Sequence, residues 1–398
     1  MKPQIPELTS IRFFAVLWVV LFHSGLPNEL LYDCLTYDAP FYVHDFIRTG
    51  YLAVTIFFTL SGFVLAYNYD RIETAYERRM FWLGRISRIY PVYLIGWVLL
   101  VPIVLDSILP PPFTGASVVR FLSNGLMSLF LIQAWIPQYA LTWNTPCWIL
   151  SCEMFFYFLY PFTLPLIQAW KERTLIVAIA GIWVFSLIVP AFAVMLSMDG
   201  YGLKYANEIT STSIPVRLIK FNPIMRLPEF LVGVLLGRLY LNRKGKAEKQ
   251  SETGRRKCLA IVPLAVMILC CGFLAGRIYQ PLIYCGGLLT LVIGAHVYQL
   301  AQGGSLMPRV MRHRLLVTLG QSSYAIFILH YPLLLWLESM DKGHFSKQYP
   351  LTVFLLYFVL TVGLSCLIFR LVEEPCRRWL REYFFRAEST GPYGTSGP

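Results

Sequence analysis

The chain consists mainly of long apolar runs separated by short polar loops. A transmembrane helix needs about 20 mostly apolar residues, and ten runs of about this length are present. They lie at 8–26, 51–69, 89–108, 147–169, 174–197, 224–241, 258–276, 281–300, 318–337 and 351–372. The pattern therefore predicts an all-α membrane protein, a polytopic bundle of ten transmembrane helices.

Loop charges orient these runs. Lysine and arginine collect in the loop after the second run, in 242–257, in 301–317 and near the C-terminal end, whereas 27–49 is acidic. Because basic loops stay in the cytoplasm, ten crossings place every basic loop and both termini on the cytoplasmic side. A further, weaker apolar run lies at 119–136. If it also crossed the membrane, the basic loops would lie on opposite sides. We therefore predict that it forms a re-entrant or interfacial helix.

Composition indicates a membrane protein of one domain. Hydrophobic residues make up 57% of the chain and charged residues 14%, against about a quarter charged in soluble domains. The net charge of +12 lies mostly in loops between the runs, so it indicates topology and not nucleic-acid binding. We expect one transmembrane domain over 1–380 and a short, disordered cytoplasmic tail over 381–398. The nine cysteines show neither a CxxC pair nor zinc spacing, so no disulfide and no metal site are predicted.

Two ionisable residues, Arg12 and His23, lie within the first apolar run. An arginine in hydrocarbon costs about 2.5–3.5 kcal/mol on insertion scales, so such residues normally face water or a partner. On a helix the two stand roughly 16 Å apart, a separation that suits the two ends of a long substrate. Imidazole exchanges protons near neutral pH, which makes His23 a candidate general base. A packed histidine bonded to a neighbouring helix is the plain alternative.

Glu153 is the one acid in its apolar run. A buried carboxylate without a partner is costly. The predicted topology places Glu153 and His23 near the same side of the membrane, so we expect the two side chains to meet. A structural ion pair explains Glu153 as well as a catalytic role does. His330 is a second histidine in the middle of a run and adds to the expectation of a polar cavity.

Two further pairs are candidates for binding. Arg85 and Arg88 share one helix face because they are three residues apart. Guanidinium groups suit phosphates, which indicates an anionic, nucleotide-bearing ligand, although positive-inside topology also explains these residues. Ser61 and Gly62 lie in the middle of a run, where small residues allow either close helix packing or a narrow passage for a substrate arm.

A later segment combines charge and glycine. Arg226 and Glu229 are three residues apart and can pair with each other. Gly233 and Gly237 form a GxxxG pattern, which is typical of a helix-packing face.

Seven short motifs follow one another along the chain. They are Arg12 and His23 with ten residues between them, Phe57-Phe-x-x-Ser61-Gly-Phe63, Arg85-x-x-Arg88-Ile-Tyr-Pro91, Trp148-x-x-Ser151-x-Glu153, Arg226-x-x-Glu229-Phe230-x-x-Gly233, Ser323-Tyr324-x-x-Phe-x-x-His330 and Glu374-Pro375. Together they resemble the acyltransferase-3 family of integral membrane O-acyltransferases. One departure is Cys152, where we expect an aliphatic residue.

The resemblance implies a bundle that moves an acyl group, usually acetyl, from a cytoplasmic coenzyme A thioester to a hydroxyl of a glycan or small molecule. It implies a bacterial inner membrane, acetyl-CoA or another acyl-CoA as donor substrate, and no tightly bound cofactor. It also places His23 and Arg12 at the centre of activity, with Arg85 and Arg88 needed as well. Some members carry a C-terminal hydrolase-like domain, which we do not expect here.

We therefore expect a membrane O-acyltransferase. In this scheme the donor phosphates meet the three arginines, the pantetheine arm passes Ser61 and Gly62, and His23, oriented by Glu153, acts as base or acyl relay. The alternative is an exporter of a lipid-linked or sugar substrate that uses the same charges as a proton relay. A structural scaffold explains the topology but not the intramembrane charges. The acceptor is left open among surface polysaccharide, lipopolysaccharide, a nodulation-type oligosaccharide and a macrolide-like metabolite.

Overall fold

The computed structural model describes residues 2–24, 46–47, 49–196, 214–247, 287–303, 307–341 and 344–389. Every regular element in these ranges is helical. The helices in chain order are α1 (Pro6–Ser24), α2 (Leu52–Asn68), α3 (Ala75–Leu99), α4 (Val101–Ile108), α5 (Gly115–Leu129), α6 (Trp148–Ile167), α7 (Glu172–Leu196), α8 (Ile214–Phe221), α9 (Pro223–Ala247), α10 (Thr290–Ala301), α11 (Met307–Met311), α12 (Arg314–Gln321), α13 (Ser323–Asp341), α14 (His344–Gln348), α15 (Pro350–Ile368) and α16 (Glu374–Ser389). Two 3₁₀ turns, Gln133–Trp135 and Thr145–Cys147, precede α6, and a π-helical turn, Phe369–Glu373, joins α15 to α16.

Within the described residues, four helices are long and apolar enough to cross a membrane. They are Pro6–Ser24, Thr145–Ile167, Glu172–Phe192 and Pro350–Leu380. A fifth span results if α3 and α4, which meet at an angle of 46°, are counted as one. The protein is therefore an all-α membrane protein, as predicted. The number of ten crossings stays a prediction, and the run at 258–276 lies outside the described residues.

The predicted re-entrant or interfacial segment at 119–136 contains α5 followed by a turn. At about 1.5 Å per residue, the 15 residues of α5 extend roughly 22 Å, less than the ~30 Å hydrocarbon core. Its outer side is apolar, with Val119 66% exposed and Leu122 53% exposed, while Asn124 and Ser128 face inward. This length agrees with a helix that does not cross, and the choice between re-entrant and interfacial stays a prediction.

Helices α2 and α9 form the most extensive helix pair of the described bundle. Their backbones touch at two glycines. A Cβ on Gly62 would lie 2.1 Å from the carbonyl oxygen of Phe230, and one on Gly233 would lie 2.0 Å from that of Thr59. Only residues without a side chain fit such contacts. The predicted packing role of the GxxxG segment is confirmed.

Helix α1 is held between α2, α12 and α13. A Cβ on Gly320 would lie 2.1 Å from the carbonyl oxygen of Thr9, so α12 lies directly on α1. The Arg312 guanidinium binds the carboxylate of the buried Glu7 at 2.6 Å. These contacts at one end of α1 fix its position in the bundle, and therefore the positions of Arg12 and His23.

The C-terminal part differs from the predicted boundary. Helix α16 continues through residue 381 to Ser389, whereas the sequence places the start of a disordered tail at 381. Residues 390–398 lie outside the described residues.

Candidate active site

Three cavities follow one another through the bundle. We call them the wide cavity (about 1250 Å³), the middle cavity (about 730 Å³) and the histidine cavity (about 660 Å³). Arg12, Arg85 and Arg88 line both the wide and the middle cavity. Ile149 and Phe327 line both the middle and the histidine cavity. The shared wall residues therefore place the three cavities next to one another, from the arginines to His23.

The wide cavity is basic. Its wall carries five cations against two carboxylates: Lys2, Arg12, Arg85, Arg88 and Arg377, against Glu373 and Glu374. Clustered guanidinium groups favour a ligand with several negative charges, and each fork can bind two phosphate oxygens.

Arg85 and Arg88 lie on the same face of α3, as their spacing predicts. Arg85 donates a hydrogen bond of 3.0 Å to the Tyr69 hydroxyl, and its guanidinium lies 5.6 Å from the centroids of the Tyr69 and Phe81 rings. Stacking on aromatic faces holds the Arg85 fork in place while leaving donors at its edge. The pair is thus preorganised at the boundary of the wide and middle cavities.

The middle cavity contains a network of charges and hydroxyls. Glu153 interacts with Arg88 and Arg12 and with the hydroxyls of Tyr157 and Ser61. The Ser61 and Tyr157 hydroxyls are 3.2 Å apart. Opposite charges placed together in this way reduce the cost of holding each of them inside a membrane protein.

The predicted meeting of Glu153 and His23 is wrong. Glu153 lines the middle cavity with Arg12, whereas His23 lines the histidine cavity. Ile149, one helical turn before Glu153, lies where the two cavities adjoin. The charged groups that interact with the Glu153 carboxylate are the guanidinium groups of Arg88 and Arg12, and His23 is not among them.

The ring of His23 is bonded to His330 instead. The Nδ1 atom of His23 lies 3.2 Å from Nε2 of His330 and 2.9 Å from the carbonyl oxygen of Val19. The Nδ1 atom of His330 lies 2.7 Å from the carbonyl oxygen of Phe327. Carbonyl oxygens only accept hydrogen bonds, so this network assigns the proton of each neutral ring to Nδ1.

This assignment decides the role of each remaining nitrogen. Nε2 of His330 carries an electron pair and accepts from the Nδ1–H group of His23. Nε2 of His23 carries the other free electron pair and is the basic atom of the pair. His330 is fully buried, and the Tyr357 hydroxyl donates a 2.9 Å hydrogen bond to its carbonyl oxygen, so the partner ring is firmly held.

A buried ion pair lies beside the histidine cavity. Arg226, which lines this cavity, binds Glu229 at 3.1 Å, and the Thr55 hydroxyl donates to the same carboxylate at 3.0 Å. The Arg226 guanidinium also lies 5.7 Å from the centroid of the Trp148 ring. The expected pairing of Arg226 with Glu229 is therefore confirmed.

The remaining predicted residues divide into two groups. Ser323 and Tyr324 line the middle cavity, and Tyr324 donates to the carbonyl oxygen of Ile89 at 2.7 Å. Ser151 and Gly62 are buried but are not among the residues that line the three cavities. Gly62 is thus a packing residue of α2, which corrects its assignment to donor binding, and Ser61 is the member of that pair that faces a cavity.

Tyr157 and Glu373 are among the cavity residues that were missed from the sequence. Tyr157 follows Glu153 by one helical turn, a spacing that places both on one face and could have identified it. Glu373 is 2% exposed and lines the wide cavity from the π-helical turn Phe369–Glu373. Such turns occur often at functional sites, but the sequence gives no signal for the extra residue that they insert.

Apolar spans that enclose a basic cavity and a bonded pair of histidines define the class: an integral membrane protein with a polar, substrate-sized interior. Residues 5–370 match the family model described as an acyltransferase domain. The chain therefore belongs to the acyltransferase-3 family, and it is an enzyme that transfers acyl groups.

Curated relatives agree with this class. The chain is similar to the acyltransferase MdmB of Streptomyces mycarofaciens, 26% identical over 95% of this chain and 92% of the relative. It is similar to the O-acetyltransferase OatA of Staphylococcus aureus, 21% identical over 94% of this chain and 57% of the relative. It is 24% identical to the putative peptidoglycan O-acetyltransferase YrhL of Bacillus subtilis over 94% of this chain, which spans 55% of that relative. No solved structure matches.

Proposed function

We propose that the protein moves an acyl group from a coenzyme A thioester to a hydroxyl group of an acceptor, with acetyl as the simplest acyl group. The observation that carries this proposal is the series of adjoining cavities from the arginines to His23. These cavities offer a site for a polyanion at one end and a basic nitrogen at the other. A long donor with phosphates at one end and a thioester at the other requires both.

The donor has a phosphate-rich end and a long uncharged arm. We assign its phosphates to the wide cavity, where Arg85, Arg88 and Arg12 supply guanidinium groups. The amide-bearing arm then lies in the middle cavity, where Ser61 and Tyr157 offer hydroxyls. Positive-inside topology supports a cytoplasmic position for the arginines and both termini. We propose that the membrane is a bacterial inner membrane and that the donor enters from the cytoplasm.

The thioester reaches His23 between Ile149 and Phe327. Arg12 and His23 are eleven residues apart on one helix, roughly 16 Å, which suits the length of a pantetheine arm. In the direct route, Nε2 of His23 takes the proton of the acceptor hydroxyl while its oxygen attacks the thioester carbonyl. The oxygen–carbon bond forms, the carbon–sulfur bond breaks, and the proton passes from His23 to the departing thiolate.

His330 positions the base in this scheme. Its Nε2 atom shares the Nδ1–H group of His23 with the carbonyl oxygen of Val19, and this contact orients the ring and stabilises the imidazolium that forms during transfer. The same geometry serves a two-step route in which Nε2 of His23 first takes the acyl group from sulfur and then passes it to the acceptor. Acid quenching with radiolabelled donor separates the routes, since only the second leaves label on the protein.

The acceptor is proposed to carry a carbohydrate hydroxyl. One relative, the putative peptidoglycan O-acetyltransferase YrhL, supports this class, because peptidoglycan carries carbohydrate hydroxyls.

One experiment tests the binding half of this proposal. Coenzyme A at about 100 times its dissociation constant should stabilise the purified protein by roughly 2.7 kcal/mol, seen as a higher melting temperature. Arg85→Ala and Arg88→Ala should each weaken coenzyme A binding about 10- to 100-fold, because a hydrogen bond to a charged group contributes roughly 1.5–3 kcal/mol. Arg120→Ala, an exposed arginine on α5, is the matched control.

The transporter alternative gives a different result in the same assay. A protein that carries cargo without acyl chemistry would show no shift with coenzyme A and no difference between the Arg85, Arg88 and Arg120 variants. That result would contradict the proposed donor.

A further inference from the structure

We infer that the group held beside His23 during transfer is apolar: either a thioester acyl chain longer than acetyl or the apolar body of a hydroxyl-bearing acceptor. This inference rests on the proposed function and specifies what the histidine cavity accepts. Two observations support it: the types of residue that line the cavity, and the interactions that the polar groups among them already make.

Most residues around the histidine cavity are aliphatic or aromatic. They come from several elements, among them Val19 and Phe22 of α1, Val54 of α2, Ile149 of α6 and Phe221 of α8. No acidic side chain from the described residues lines this cavity. The other two cavities differ, because Glu153 lines the middle cavity, and Glu373 and Glu374 line the wide one. Among the described residues, the lack of a carboxylate thus distinguishes the histidine cavity from the other two cavities.

The hydroxyl-bearing and cationic side chains in this wall already have partners within the protein. The Thr145 hydroxyl donates to the carbonyl oxygen of Leu141 at 3.2 Å. Arg226 is 2% exposed and binds Glu229, while Lys220, 6% exposed, and Tyr51 also have interaction partners. The free electron pair on Nε2 of His23 can then accept a hydrogen bond from a substrate hydroxyl.

A ligand with hydroxyls on every side would therefore lose its bonds to water without replacing them, which is unfavourable in a low-dielectric site. An apolar group loses nothing on entry and gains burial against these side chains. One reacting hydroxyl on an apolar body, or one thioester on an apolar chain, is the substrate chemistry that fits.

Two substrate series test the inference and distinguish a long acyl chain from an apolar acceptor as the group that the cavity holds. The protein is reconstituted in lipid nanodiscs, and ester products are quantified by mass spectrometry. The donor series is acetyl-, propionyl-, butyryl- and hexanoyl-CoA with methyl glucoside as acceptor. The acceptor series is methyl, butyl and hexyl glucoside with acetyl-CoA. We expect kcat/KM to rise in at least one series, by roughly fourfold per methylene, since burial of one CH₂ contributes about 0.8 kcal/mol.

Alkyl glucosides and long thioesters also partition into lipid, so a pair of variants provides the control. Val54 and Val64 both lie on α2, but Val54 lines the histidine cavity and Val64 lines the other two. Val54→Thr adds a hydroxyl to the apolar wall and should reduce the gain per methylene. Val64→Thr should leave that gain unchanged, whatever it does to donor binding.

Three results would overturn the inference. One is a kcat/KM that does not change with chain length in either series. Another is an equal gain per methylene in both valine variants, which would assign the effect to the membrane. The third is the absence of ester from every donor and acceptor, which would overturn the proposed function as well. Transfer that needs His23 but ignores chain length would leave the proposed function intact.

Discussion

The 3.2 Å contact between His23 and His330 gives the two histidines different roles. Each Nδ1 atom faces a backbone carbonyl. A flip of either ring would therefore lose a hydrogen bond inside the bundle. Nε2 of His330 is then an acceptor, and Nε2 of His23 is the basic atom. At this scale His330 is a positioning residue, and the proposed chemistry belongs to His23.

Substitution of His330 tests this division. His330→Leu removes the acceptor and should lower kcat roughly 10- to 100-fold with little change in the KM for the donor, as when a residue that orients a catalytic ring is lost. His330→Gln keeps an oxygen that can accept from Nδ1–H of His23 and should recover most of kcat. Acetyl transfer in proteoliposomes measures both.

His296, a buried histidine of α10, supplies the control, and His296→Leu should not change kcat. Equal inactivity of the Gln and Leu variants at position 330 would contradict positioning, because it would mean that His330 itself exchanges protons. Full activity of the Leu variant would remove His330 from the mechanism.

At the scale of elements, the contact of α2 with α9 determines where Ser61 faces. The backbones meet at Gly62 and Gly233, and this close approach turns the neighbouring Ser61 towards the middle cavity. The Ser61-Gly62 pair thus combines the two roles that the sequence leaves open: the glycine packs and the serine lines the cavity.

Alanine at these glycines should separate the two helices. Gly62→Ala and Gly233→Ala each place a methyl group against backbone of the other helix and should destabilise the protein by about 3 kcal/mol. The melting temperature and the folded yield in detergent measure this loss.

Gly181 on α7 is the matched control, since a Cβ there meets no atom within 4 Å. Gly181→Ala should be neutral or more stable by about 0.5–1 kcal/mol, the helix preference of alanine over glycine. Equal stability of the three alanine variants would show that α2 and α9 are not in backbone contact.

At the scale of the whole molecule, the sequence predicts the class, the main helices and the set of polar residues. Run length and hydropathy are local properties, which explains why 147–169 and 351–372 agree closely with α6 and α15. The position of Arg85 and Arg88 on one face of α3 follows from helical periodicity alone. The resemblance to a family, read from seven motifs, is confirmed by the match over residues 5–370.

Relative depth and rotation of helices could not be predicted in this way. The sequence placed Glu153 beside His23, whereas the two side chains line different cavities. The bond between His23 and His330 joins residues 307 positions apart, and no local pattern specifies it. Glu373 depends on a π-helical turn, which hydrophobic periodicity does not indicate.

The account depends on one route through the bundle, with phosphates at one end and His23 at the other. Activity assays test this route from both ends. His23→Ala and Arg12→Ala should each abolish acetyl transfer in proteoliposomes, and full activity in both variants would discard the scheme.

The most direct measurement is a structure of the protein with a non-hydrolysable thioether analogue of acetyl-CoA. We predict that its phosphates contact Arg85 and Arg88, that its arm passes Ser61, and that its sulfur lies beyond Ile149 and Phe327. The acyl carbon should then be about 3–3.5 Å from Nε2 of His23, the separation of reacting atoms. An analogue that remains wholly on the arginine side, with the two cavities closed from each other at Ile149 and Phe327, would contradict the central claim.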